Sequence, residues 1–196
     1  MRVHNTGTVI SPTGAPLKIV DQAVYLGGLL NVKCSAKPEV TRRIGEAKSV
    51  FKALSNCWSH ANICRDRKIQ LYKAIVLPKL LYNLETVWAL QADRARLDSF
   101  HAQCLRRIFR IPSAYVSRIS NKTVLERAQE SPLSETLRDR QMKLYMKISA
   151  LPEDNLLKLL TCEPGTKLPR LWGQKRKRGR PKQQWASSVY ALLPGH

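Results

Sequence analysis

Glu153 and Asp154 are the only adjacent acidic pair in a chain of 196 residues, and that limits the chemistry on offer. Polymerases, nucleases and phosphatases hold magnesium with convergent carboxylates. Here 14 Asp and Glu residues are scattered, none in a DxD or DD pair. Glu153-Asp154 falls in "PED", where acidic charge favours the start of a helix. Cys57, His60, Cys64, His101 and Cys104 fit no paired CxxC zinc pattern. Cys104 falls on an apolar helical stripe, where cysteine acts as a small hydrophobe. No GxSxG is present, and His4, His60, His101 and His196 stand near no nucleophile pattern. His101 is expected on a helix surface. There is no GxGxxG or GxxxxGK[ST] phosphate loop. The expectation is a chain with no catalytic residue, metal ligand or cofactor of its own.

Charge is the stronger pointer. Lys and Arg number 34, giving a net +20 and a pI near 10.2. Such an excess calls for a polyanionic partner, nucleic acid first and an anionic membrane second. The densest stretch is "QKRKRGRPKQQW", with Lys175, Arg176, Lys177, Arg178, Arg180 and Lys182. The rest of the chain is also basic, so a neutral body with a sticky tail is excluded. No membrane segment is expected. "MRVHNTGTVI" is too short and polar for a secretory core, and "AIVLPKLLYNLETVWAL" is broken by Pro78, Lys79 and Glu85. Five widely spaced cysteines fit reduced thiols in the cytosol or nucleus.

The elements that must position these charges follow from periodicity. "GTVISPTGAPLKIV" reads as two apolar runs around a Pro12-Thr13-Gly14 turn, and "QAVYLGGLLN" as a strand with a glycine pair marking a bulge or close approach. After Pro38 the period becomes helical. Val40, Ile44, Ala47, Phe51 and Leu54 share a face, with Arg42, Arg43, Lys48 and Lys52 on the others. A long helical pattern from about 65 to 89 carries Ile69, Tyr72, Ile75, Val76, Leu80, Leu84 and Val87, and Pro78 must kink or divide it. A third helix, about 93 to 109, turns Leu97, Phe100, Cys104, Leu105 and Ile108 inward and Arg94, Arg96, Arg106 and Arg107 outward, with Arg110 following. A short helix goes with "SNKTVLERAQ". Ser131-Pro132 is expected to cap a helix to about 150 with a Leu133, Leu137, Leu144, Ile148 stripe. Pro152 opens a short helix through Leu160. Residues 161–182 read as a mobile linker, and "QQWASSVYALL" as a last amphipathic turn or two. Trp58, Tyr72, Tyr82, Trp88, Tyr115 and Tyr145 fall mostly at core positions. The fold class is mainly α: a small N-terminal β-hairpin or strand element, a helical bundle and a flexible basic tail.

Five segments, "AVYLGGLLN", "EVTRRIGEAKSVFKAL", "RKIQLYKAIVLPKLLYNLETVW", "LDSFHAQCLRRIFRI" and "RGRPKQQW", stand in this order from about Asp21 to Tyr190. The set resembles the region after the catalytic core of non-LTR (LINE-type) retrotransposon reverse transcriptases. The resemblance implies that Tyr25, Leu26, Gly27 and Gly28 belong to a primer-grip-like end of the palm (1–37). It implies a thumb-like helical domain at 38–160 and a basic linker and tail at 161–196. In the family's "LLYGxExW" helix, Asn83 replaces the glycine and Val87 is inserted before Trp88. The palm carboxylates of that family, including an "ADD" hairpin, lie upstream of the "YLG". Met1 to Val24 supplies none, so the chain is expected to be an incomplete piece without polymerase activity: a truncated element, a fragmentary gene model or a co-opted protein. Magnesium would belong to a separate or missing palm.

The expected partner is an RNA–DNA hybrid, RNA or DNA, in the nucleus or reached by nuclear import. The candidate contacts are Arg42, Arg43, Lys48, Arg106, Arg107, Arg110 and the six tail cations. Two other readings stay open. "KRGRPK" could act as an AT-hook in a narrow minor groove. "KRKR" could be an import signal on a structural remnant.

Overall fold

The computed structural model describes residues 10–14, 20–60, 62–171 and 183–193. The architecture is mainly helical with one two-stranded antiparallel sheet near the N-terminus. Around Pro12-Thr13-Gly14 the chain does turn, with the Gly14 amide donating to the Ser11 carbonyl at 2.9 Å. The residues on either side, 1–9 and 15–19, lie outside the described set.

Strands β1 (Gln22–Tyr25) and β2 (Gly28–Asn31) pair with Tyr25 opposite Gly28. The "YLG" is therefore the turn of a hairpin and not the middle of a strand. Leu26 and Gly27 both take positive φ, 46° and 76°, as a tight two-residue hairpin turn requires. Glycine takes this freely; leucine takes it only because the surroundings hold it there.

Helix α1 (Lys37–Ala53) starts with proline in its first turn, where no backbone donor is missed. Val40 and Ala47 are fully buried, while Ile44, Phe51 and Leu54 pack at the edge of the core. The outer faces differ from expectation. Glu39 and Arg43 are buried, and the Glu39 carboxylate gathers four hydrogen bonds. They come from the Leu29 amide, from Arg42 Nε and Nη2, and from Arg43 Nε, at 2.7 to 3.0 Å. Both arginines then donate to the Gly27 carbonyl. A buried carboxylate thus welds the hairpin turn to the first helix.

After the short helix α2 (Ser55–Ser59), helix α3 (Arg65–Leu71) runs through a widened π turn (Tyr72–Val76) into α4 (Leu77–Leu81). Pro78 explains the widening. Its ring would clash with the carbonyl four residues back, and the extra residue in the turn relieves that conflict. The Leu77 amide accordingly bonds the Tyr72 carbonyl, five residues earlier. The added residue turns Ile75 outward to 41% exposure, while Tyr72, Val76, Leu80 and Leu81 stay buried. The helix stops at Leu81 and does not reach position 89. Asn83 adopts a left-handed φ of 61°, a conformation that asparagine, like glycine, tolerates. The replacement of the resembled motif's glycine is thereby explained.

Helix α5 (Gln91–Phe109) is the central element, packed against α1, α3, α7 (Asn121–Ala128) and α8 (Leu133–Ser149). Its expected stripe is buried throughout. His101 is buried as well, contrary to its expected surface position. Its Nδ1 lies 2.8 Å from the Tyr72 hydroxyl. A small helix α6 (Ala114–Ser117) precedes α7. Pro132 precedes α8, and Ser131 does not cap it. Asp98 of α5 does, accepting from the Ser134 amide at 2.8 Å. The buried stripe of α8 is Leu133, Leu137, Gln141, Tyr145 and Ser149, with Leu144 and Ile148 only half-buried.

Helix α9 begins at Leu156, not Pro152, because the Asn155 side chain caps it by accepting from the Leu157 amide. Residues 161–171 are not a free linker. Cys162 is buried and bridges to Pro169, and the Arg170 amide donates to the Thr161 carbonyl at 2.8 Å. Helix α10 (Trp185–Tyr190) folds back onto α8, and Trp185 Nε1 reaches the Glu85 carbonyl at 2.8 Å. No helix of the described residues is long and apolar enough to cross a membrane.

Two outcomes follow. Burial alone would raise the Glu39 pKa, but the hydrogen bonds from Arg42, Arg43 and Leu29 outweigh it and hold it below the ordinary 4.5. The clamp therefore contributes its full stability above pH 4.5 and loses it as pH falls through the lower folded value. Glu39→Gln should cost about 3–5 kcal/mol at pH 7 in urea unfolding and flatten that acid limb. Burial lowers the His101 pKa to about 4, so between 6.5 and about 4 the unfolded chain binds a proton that the fold refuses. Stability should fall as pH drops through that window, with the His101 ring resonances unchanged from pH 7 to 5.

Candidate nucleic-acid interface

The hairpin turn and the end of α4 meet. The Tyr82 hydroxyl donates to the Leu26 carbonyl at 3.2 Å, and a Cβ on Gly27 would stand 3.2 Å from the Tyr82 ring. A Cβ on Gly28 would collide with the Asn83 amide. Gly27 is favoured by its positive φ and by the Tyr82 ring beside it, where "YLGG" and "LLYN" lie backbone to side chain. Tyr25 and Leu26 project into solvent, at 66% and 79% exposure. Tyr82 and Tyr115 are also exposed, so neither is a core aromatic.

Arginine placement divides the candidate contacts. Arg43 is buried, paired to Glu39 and Glu46, with its guanidinium 4.6 Å from the Tyr82 ring centre. Arg42 is half-buried in the same network. Arg106, expected outside, is buried. It donates to the Pro112 and Ile119 carbonyls and to the Asn121 side chain, tying down the chain between α5 and α7. Arg94 is buried too, donating to the Ala89 carbonyl and lying 4.2 Å from the centre of the Trp88 ring. These guanidiniums satisfy carbonyls that helix ends and loops leave open, which removes them from the phosphate-facing set. Arg110 ends α5 in a left-handed conformation and donates to the Ser59 carbonyl at 2.7 Å, yet it remains exposed. Lys175, Arg176, Lys177, Arg178, Arg180 and Lys182 lie outside the described residues.

Lys48 and Arg107 behave as expected of exposed cations, and the fold brings them together. Both line an open groove of about 730 Å³ between α1 and α5. Its apolar part is Ile44, Phe51, Trp58 and Phe100, with the Phe51 and Trp58 rings stacked at 4.9 Å. Lys48 and Lys52 stand on the α1 side, Arg96 and Arg107 on the α5 side. Ser55, Ser99 and Gln103 add uncharged hydrogen-bonding groups, and among the described residues no carboxylate lines the groove. Lys52, Arg96, Ser99 and Gln103 are absent from the candidate contacts read from sequence. Ser99, Gln103 and Arg107 do recur every fourth residue opposite the apolar stripe of α5. Periodicity cannot say that this row faces another helix across a groove.

Cys104 also lines the groove, but burial pushes its thiol up to about 12, far from a reactive thiolate. Among the described residues no group of histidine, cysteine and carboxylate side chains is placed to hold a metal ion. No family model, no curated protein and no solved structure matches the chain.

Arg106 and Arg107 are adjacent in sequence and opposite in environment. Arg106→Gln should lower stability by about 2–3 kcal/mol in urea unfolding, because several buried acceptors lose a charged donor. Arg107→Gln should leave stability within about 0.5 kcal/mol.

Proposed function

We propose that the chain is a nucleic-acid-binding helical domain, a thumb-like piece of a non-LTR retrotransposon reverse transcriptase whose polymerase carboxylates lie outside it. The groove between α1 and α5 carries this reading: it is rimmed by Lys48, Lys52, Arg96 and Arg107 and, among the described residues, lined by no acid. Several of the fold's carboxylates are held in ion pairs, one of them, Asp93, with Arg96 of the rim. Glu39, Glu46, Asp93, Glu130 and Glu153 are each paired with a lysine or arginine. Part of the acidic charge is thus neutralised within the fold, and the exposed Lys48, Lys52 and Arg107 keep their positive charge at the surface. Cations on exposed helix faces contact phosphates without reading bases, so binding tolerates many sequences.

Affinity for an RNA–DNA hybrid should fall steeply with salt, each neutralised duplex phosphate adding about 0.9 to the log–log slope. Replacing Lys48 and Arg107 together by glutamine should reduce that slope by about 2 without loss of folding. A salt-independent affinity overturns the reading. Nucleotide incorporation by this chain alone, on a primed template with magnesium, would overturn its assignment as an incomplete piece.

A further inference from the structure

We infer that the α1–α5 groove takes an unpaired nucleic-acid strand, with a base against its apolar floor and phosphates on its basic rim. This rests on the nucleic-acid reading above and goes further by naming the form of the ligand. A duplex keeps its bases inside and offers only backbone, so it would engage the rim and leave the floor wet. Half-buried Ile44 and Phe51 and the largely buried Phe100 line the floor, with the polar side chains of α1 and α5 around them. Phe51 is half-buried and stacked on Trp58, which fixes its ring as a rigid surface. Aromatic surface flanked by cations is the arrangement that holds single strands, since every base has a π-face.

The rim geometry agrees. Lys48 and Lys52 stand one turn apart on α1, and Arg96 and Arg107 about 16 Å apart along α5. Between the two arginines, exposed Ser99 and Gln103 present a hydroxyl and an amide able to donate and accept. A base edge, which carries both donors and acceptors, matches that uncharged row. Lys48, Lys52 and Arg107 form no ion pair among the described residues, while Arg96 pairs with Asp93 at 3.5 Å and donates to the Thr41 hydroxyl at 3.0 Å. Charge complementarity therefore points to an anionic occupant, and the aromatic floor to one that carries flat rings.

Fluorescence anisotropy with a short labelled oligothymidine, single-stranded and as a duplex of the same length, tests this on the full chain. The single strand should bind at least several-fold more tightly. Phe51→Leu keeps an apolar side chain and removes the ring; it should weaken single-strand binding roughly tenfold and leave duplex binding within about twofold. Ser99→Ala with Gln103→Ala, both exposed positions, should also weaken the single strand selectively, which guards against a folding defect at Phe51. Equal binding of both forms, unaffected by either variant but lost on Lys48→Gln with Arg107→Gln, overturns the groove inference and leaves the phosphate-tracking reading standing. No salt-dependent binding of either form overturns both. Displacement of the oligothymidine by an equal concentration of a glutamate-rich amphipathic peptide overturns the inference in favour of a protein partner.

Discussion

A single buried carboxylate organises the N-terminal half of this molecule. Glu39 cannot remain ionised away from water without partners, and burying a charge unpaired is far more costly than any surface ion pair is worth. It is paired by two arginines that follow it on the same helix. Those arginines are held in one geometry and reach across to the Gly27 carbonyl. The hairpin is therefore fixed to α1 by directional bonds. Glu46 extends the network to Lys79 of α4 at 3.4 Å, so the hairpin, α1 and α4 share one electrostatic joint. The helix held at that joint, and packed on the core through Val40 and Ala47, also carries the row of Lys48 and Lys52.

Cationic side chains have two kinds of work here. One kind closes backbone. Lys68 is buried with its ammonium on the Trp58 and His60 carbonyls, at 2.9 and 2.8 Å, ending α2. Lys158 does the same for Leu151, and Arg106 for the loop before α7. The other kind faces water with no carboxylate to answer it. A helical protein with few glycines at its helix ends still needs donors for its open carbonyls. The residues after α5, α6 and α7, Arg110, Arg118 and Gln129, are left-handed without being glycine. Long cationic side chains supply the missing donors, which is one structural reason why net charge overstates the surface available to a ligand.

Much of the helical plan is legible because apolar spacing is a local property. The stripes of α1 and α5 read directly from the period of 3.6 residues. Legibility fails where a distant residue decides. Asp98 caps α8 from another helix, so the nearby Ser131 was a misleading cap. Gln141 is buried because the segment after Leu84 covers α8 there and its amide donates to the Val87 carbonyl, which no pattern within α8 reveals. Pro78 announces a disturbance, but a π turn and a break are equally compatible with it. The groove was legible only in part: Lys48 and Arg107 stand out by charge, while its aromatic floor reads as ordinary core. The segment 161–171 looked unstructured because its order comes from a bridge between Cys162 and Pro169 and not from periodicity.

The closing contact of α10 also sets an order in time. Trp185 donates to a carbonyl 100 residues before it, and the Trp88 indole donates to Gln183, 95 residues on. At about 5–20 residues per second, a ribosome needs roughly 5–20 s to make the chain between these partners. Until that interval ends Trp88 and, once made, Tyr145 have no α10 to cover them, whereas the larger core is complete in sequence at Leu137 and can close before Trp185 is added. The small cluster around Val189 must therefore assemble last, on a body already formed. Vectorial synthesis thus separates the two cores into an early and a late folding event, with the lysine- and arginine-rich stretch emerging between them.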